Sequence, residues 1–168
     1  MGAGPAAGDG LHARLVPLRD LAPGDLDAWR DLALRAVEPN PFFEPQVVLP
    51  AARGLGVEDL SLVVVTDAAG TWRACAPVRR VPRWRRLRLP CIEIWSHTYS
   101  GIEVPLACAE SMPGAARLLV DHLRAQRGAA FVVVGQMPLD GPVDAAVRGR
   151  GTRVVVLDRF ERAVVRRR

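Results

Sequence analysis

The stretch Ala76–Gly101, APVRRVPRWRRLRLPCIEIWSHTYSG, decides how the rest of the chain is read, because it runs from a basic turn into an apolar strand and then a polar loop. Six arginines (Arg79, Arg80, Arg83, Arg85, Arg86 and Arg88) fall within ten residues around Trp84, with Pro82 and Pro90 punctuating the run. Cys91–Trp95 then reads as a half-buried strand, and Ser96, His97, Thr98, Tyr99 and Ser100 form a loop at its end. Just upstream, Ser61–Thr66 is a β-branched run, Asp67–Gly70 a turn and Trp72–Val81 another strand, so the arginines sit in the second turn of a three-stranded antiparallel meander.

Towards the N-terminus, Pro23-Gly24-Asp25 opens a helix in which Leu26, Trp29, Leu32, Ala33 and Ala36 recur at helical spacing. Asp25 and Asp27 complement the positive end of its dipole. Glu38-Pro39-Asn40-Pro41 stops it, since a residue before proline is pushed out of helical geometry. Glu44-Pro45 starts a second helix that runs to about Arg53, and Ala13–Leu18 is a short strand ahead of both. Towards the C-terminus, Ile102–Leu106 continues or re-forms the strand. Met112–Arg127 reads as a helix with Ser111 as N-cap. Ala130–Val134 is a continuous apolar strand of the kind buried on both faces, Pro142–Arg148 a short helix and Thr152–Leu157 a last strand. The expected order is β, α, α, β, β, β, α, β, α, β, in one domain over 13–165 between a disordered leader, 1–12, and a basic tail, 166–168.

Composition excludes several classes of protein. At 168 residues and 49% hydrophobic, the chain can bury one proper core, and no run reaches the length of a membrane span. The start, MGAGPAAGDG, lacks the basic and apolar segments of a signal peptide, so a cytoplasmic protein with no membrane partner is expected. Cys75, Cys91 and Cys108 show no CxxC spacing, which supports buried thiols rather than disulfides or a metal site. All 23 basic residues are arginine, the footprint of a GC-rich genome, so the net charge of +5 says little about partners. With no lysine, a catalyst here draws on His, carboxylate, Tyr, Cys or backbone groups. Aromatic content of 5% with a single Tyr argues against a base-stacking platform, so nucleic acid is not the favoured partner and the arginine run is read as a solvated hairpin.

NPFFEP at 40–45, the strand pair LVVVTDAAGTWRACAPVRR and the loop HTYSGIEVPL, set in this element order, resemble the N-terminal half of CelD-type cellulose-biosynthesis acetyltransferases, a branch of the GNAT acyltransferase superfamily related to the FemAB transferases. The resemblance covers about Leu15 to Val165. It implies an α/β (α+β type) fold, a mixed and mostly antiparallel sheet flanked by helices. It also implies acyl-CoA (acetyl-CoA) as co-substrate, no metal, a small amine-bearing acceptor, and a second GNAT-like half or a homodimer as partner. In GNAT enzymes an Arg/Gln-x-x-Gly-x-Gly/Ala loop at the start of the central helix holds the pyrophosphate. Leu106–Gly114 stands in that place here, with one glycine, no preceding Arg or Gln and Glu110 adding negative charge. Arg148-Gly149-Arg150-Gly151 repeats part of the pattern but follows a helix and precedes a strand.

The candidate site lies at the end of the Cys91–Trp95 strand. His97 could accept a proton from an amine nucleophile and Tyr99 could give one to a leaving thiolate, with Glu93 beside them; hydrogen bonds that cap the loop are the competing account of His97 and Tyr99. Glu93 or Glu103 could bind an ammonium or orient His97, against solvent-facing strand positions. Trp95 and Ser96 border the same place, and Phe42 and Phe43 either floor the cleft or fill the core.

Overall fold

The computed structural model describes residues 10–149 and 152–161. Residues 1–9, most of the expected leader, lie outside the described residues, as do Arg150-Gly151 and the expected basic tail. In chain order the elements are β1 (His12–Pro17), α1 (Pro23–Leu34), α2 (Pro45–Gly54), β2 (Ser61–Thr66), β3 (Trp72–Val81), β4 (Cys91–Ile94), β5 (Leu106–Ala107), α3 (Gly114–Arg124), β6 (Phe131–Val133) and α4 (Pro142–Val147). Single 3-10 turns cover Leu18–Asp20, Pro41–Phe43 and Ala109–Ser111. The sheet order is β1-β2-β3-β4-β6, with β5 also on β3; every pairing is antiparallel except β4 with β6. This is the mixed, mostly antiparallel sheet flanked by helices that the sequence implies.

Successive strand residues face opposite sides of a sheet. Leu62, Val63, Val64 and Val65 are nevertheless all fully buried, so β2 is covered on both faces. α3 packs across β1, β2 and β3, while α1 lies on β3 and β5 and touches α2. Trp29 anchors α1 with no exposed surface, and its indole N–H donates to the Phe43 carbonyl at 2.8 Å. That bond fixes the Pro41–Phe43 turn. Asn40, 1% exposed, extends the attachment: its side-chain amide donates to the Val104 carbonyl (2.9 Å) and its oxygen accepts from the Phe42 N–H. The 40s turn thereby holds the 100s segment in place.

β4 and β5 lie end to end along one edge of β3, β4 on Val78–Val81 and β5 on Ala74–Cys75. Between them the chain leaves the sheet, so the expected strand from Ile102 shrinks to Leu106–Ala107. The strand before it starts at Cys91, as expected, and the arginine turn ahead of it closes on itself through a Trp84–Leu87 bridge. α3 starts at Gly114 with Pro113 preceding it, and Ser111 belongs to the 3-10 turn rather than capping the helix.

Two strand expectations are corrected. β6 is half-buried along its length, not buried on both faces; among the described residues it is the last strand of the sheet, paired with β4 alone. Thr152–Leu157 forms no strand: β-branched sequence suits a pleated surface but needs a neighbour to pair with, and among the described residues this segment pairs with none.

Candidate functional site

The β4–β6 ladder ends at Glu93 and Val133. Beyond it the two chains part, because the Trp95 N–H stays with β3 by donating to the Pro77 carbonyl at 2.8 Å, while the chain after β6 turns to the 100s segment. A cleft of about 170 Å³ opens where they part, walled by Ile94, Trp95 and Ser96 on one side and by Val133, Gly135 and Glu103 on the other, with Arg79 and Glu93 at its edge.

Glu103 is wedged into this gap and is only 7% exposed. A buried carboxylate is tolerated only with donors on its oxygens. The Ser96 hydroxyl donates to Oε1 at 2.6 Å and the Gly135 N–H to Oε2 at 2.5 Å, while the Glu103 N–H donates to the Gln136 carbonyl at 2.6 Å. A side chain at 135 would push the carboxylate out of place, since a Cβ there would stand 2.5 Å from it. Across the cleft, Glu93 Oε2 accepts from both Arg79 Nε (3.2 Å) and Arg79 Nη2 (3.1 Å). Two carboxylates thus face one guanidinium.

The structure brings Glu93, Trp95, Ser96 and Glu103 to this cleft and places the other candidates beside it. His97 packs its ring against Phe42, Trp95 and Tyr99, at centroid distances of 5.9, 6.3 and 6.2 Å. Its Nδ1 accepts from the Tyr99 N–H at 3.2 Å, which leaves Nε2 buried without a hydrogen-bond partner. The His97 carbonyl accepts from the Ser100 N–H at 2.8 Å, closing the loop. Tyr99 is 86% exposed and does not line the cleft, and Phe43 is fully buried in the core. Asn40 and Gly135 are not among the site candidates read from the sequence, and Arg79, read there as part of a solvated hairpin, instead pairs with Glu93 at the cleft. An Asn between two prolines is the one local signal, and the roles of the other two rest on contacts distant in sequence.

All three cysteines are free and buried. Burial pushes the Cys75 thiol far up, and burial followed by the nearby Glu93 raises Cys91, so both stay protonated and neither is a ready nucleophile. Among the described residues no three His, Cys, Asp or Glu side chains converge on a metal-ion position.

The entry to α3 is occupied by the chain's own charges. The Glu110 carboxylate lies 3.7 Å from both Arg35 and Arg73. A hydrogen bond with the Cys108 side chain, followed by its own backbone N–H and the two guanidiniums, holds Glu110 below the usual carboxylate range. Leu11 stands beside Gly114, 3.6 Å from where a Cβ would be. A carboxylate and a leucine at this helix start do not fit a pyrophosphate. The arginine turn is a surface feature: Arg83, Arg85, Arg86 and Arg88 are exposed, Arg85 stacks over Trp84 at 4.9 Å, and Trp84 meets Phe131 edge-on at 5.3 Å.

By sequence, no family model and no curated protein matches this chain. By structure it is similar to an acetyltransferase from Trypanosoma brucei (15% identity, TM-score 0.51, 92% of this chain and 99% of the other). It is also similar to a ribosomal-protein-alanine N-acetyltransferase from Brucella melitensis biovar Abortus 2308 (13% identity, TM-score 0.51, 93% and 99%). The chain therefore has the GNAT acetyltransferase fold. At these identities the likeness is one of architecture, spanning nearly the whole of each solved domain.

Proposed function

We propose that the chain is a GNAT-type acyl-CoA N-acyltransferase domain, the N-terminal half of a two-half enzyme of the CelD-type branch. It acts on a small amine-bearing acceptor in the bacterial cytoplasm, with acetyl-CoA as co-substrate. The observation that carries this reading is the charge balance of the cleft where β4 and β6 part: Glu93 and Glu103 against Arg79 alone, in a volume of about 170 Å³. That is below the roughly 300 Å³ of the smallest ordinary ligand pockets, so it suits the amino end of an acceptor rather than a whole ligand. An excess carboxylate in a confined site attracts an ammonium.

An acyl-CoA would supply the activated acyl group; the chain supplies the handling of the amine. Glu103, with each oxygen already held by a donor, acts as the fixed negative charge that draws the ammonium in. Glu93 spends Oε2 on Arg79 and keeps Oε1 to take the proton an amine must shed before it attacks. Trp95 and Val133 keep water off the walls, and the loop carrying His97 and Tyr99, backed by Phe42, borders the acceptor's approach.

Calorimetric titration of acetyl-CoA into the chain, followed by acetyl transfer to a panel of small amines, tests the proposal. The expected result, for a chain that catalyses on its own, is binding away from the α3 entry that Glu93→Gln leaves in place while transfer falls by about 10²–10⁴-fold. No heat at millimolar acetyl-CoA removes autonomous catalysis. The α3 entry favours the second reading, a non-catalytic module that pairs with another domain or a second copy and lends it half a cleft.

A further inference from the structure

The arginines between β3 and β4 divide into two groups. Arg79 is bound to Glu93, and Arg80 donates to the Arg127 carbonyl at 2.8 Å and to the Gln126 side chain at 3.4 Å. Arg83, Arg85, Arg86 and Arg88 are exposed and form no ion pair among the described residues. The chain around them offers no counter-charge, since there is neither Asp nor Glu from Ala68 to Ile92. Like charges crowded in this way repel, so the turn needs other contacts to keep its shape. The Leu87 N–H donates to the Trp84 carbonyl at 3.0 Å, Arg85 lies over the Trp84 ring, and that ring meets Phe131 of β6 edge-on. Arg85 also takes a φ of 54°, a left-handed backbone that a non-glycine residue adopts only where its surroundings hold it. The turn so fixed presents Leu87 and Leu89 to solvent, 51% and 41% exposed, between its arginines.

From this we infer that the turn docks the protein on an anionic phospholipid surface, its four free arginines on lipid phosphates and Leu87 and Leu89 in the apolar layer beneath. A bilayer of this kind supplies both chemistries side by side. A nucleic acid supplies phosphate but nothing to cover the leucines, and Trp84, the residue that would stack on a base, is already engaged by Arg85 and Phe131. Among the described residues no helix is long and apolar enough to cross a membrane, so the contact is peripheral. It departs from the expectation of no membrane partner, which rests on the lack of a span and of a signal peptide. Val81 pairs with Cys91 at the base of the turn, whereas the cleft opens past Glu93, at the other end of β4. Docking therefore leaves the cleft open, and its failure and the failure of the acetyl-CoA titration are separate results.

Co-sedimentation of the full chain with phosphatidylcholine vesicles that contain phosphatidylglycerol, at rising salt, tests the inference. Binding is expected that weakens with salt and is lost with phosphatidylcholine alone. An arginine near an acidic surface contributes about fivefold, so Arg86→Gln with Arg88→Gln should lower partitioning about 25-fold. Leu87→Ser with Leu89→Ser keeps every charge and should lower it about tenfold. All four side chains are exposed, so both variants should keep the parent melting temperature. No binding to the mixed vesicles, or equal binding to phosphatidylcholine alone, overturns the inference. Binding that the arginine pair leaves unchanged overturns it by placing the contact elsewhere in the chain, and binding that the leucine pair leaves unchanged reduces it to charge alone, which overturns it too. Release by inorganic phosphate at constant ionic strength, or tighter binding to duplex DNA or RNA than to vesicles of equal phosphate content, replaces the bilayer with a different ligand and overturns it.

Discussion

Glu103 and Gly135 form the tightest local constraint at the cleft. An alanine methyl at 135 would stand 2.5 Å from a carboxylate oxygen whose own position is fixed by Ser96. Gly135→Ala should therefore cost about 1–3 kcal/mol in urea unfolding, the usual range for forced overpacking. In a Glu103→Ala background the same change should cost much less, and fully additive losses would show that the two sites are independent. Asp67 offers a test by pH. Its hydrogen bond from Arg73, followed by N–H groups of Thr71 and Ala69, holds its carboxyl below the ordinary range. The folded value thus lies under an unfolded value near 3.9, so the stabilisation is complete above about pH 5 and is lost as pH falls through the folded value. The stability gap between the parent chain and Asp67→Asn should be flat from neutral pH to about 5 and narrow in acid. A gap that stays constant to the acid limit would count against the ion pair.

At the scale of elements, α2 carries Pro50 on its exposed face, in mid-helix, where the missing N–H leaves the Gln46 carbonyl without its helical donor. Pro50→Ala should raise stability by about 2 kcal/mol: an interior proline costs about 3 relative to alanine, less the unfolded-state entropy it removes. Thermal unfolding measures it directly. The hairpin strands β2 and β3 were legible to the residue because a β-branched run and a turn at Asp67–Gly70 agree there. β6 was recognised as a strand but placed in the wrong environment, since an apolar run does not say whether it ends a sheet. Thr152–Leu157 failed as a strand for the matching reason, that a ladder needs two sides. At the cleft, Glu93, Trp95, Ser96 and Glu103 could be picked out because a strand end is where chains diverge. His97 and Tyr99 drew attention by residue type, yet the turn closed by Ser100 directs one into an aromatic cluster and the other into solvent. Asn40 and Gly135 were illegible because their partners lie 64 and 32 residues away.

Over the described residues, the buried side chains form one contiguous core that takes in Trp29 from α1, Trp72 from β3 and Trp95 from the segment after β4. The described fold should therefore unfold in a single cooperative step, with tryptophan fluorescence and far-ultraviolet circular dichroism transitions superimposing. Separated midpoints would show that the α1–α2 side and the α3 side come apart independently. Within that unit, β3 works as a clamp for a segment that does not belong to the sheet. Trp95 is fastened to Pro77 and Leu106 to Cys75, so the excursion between them leaves and re-enters the sheet at sites only two residues apart on β3. A segment held by both feet on neighbouring residues of one strand behaves as an insert whose exposed turn, Thr98-Tyr99, is open to change, while the buried Ser100, Glu103 and Val104 tie the remainder to the core.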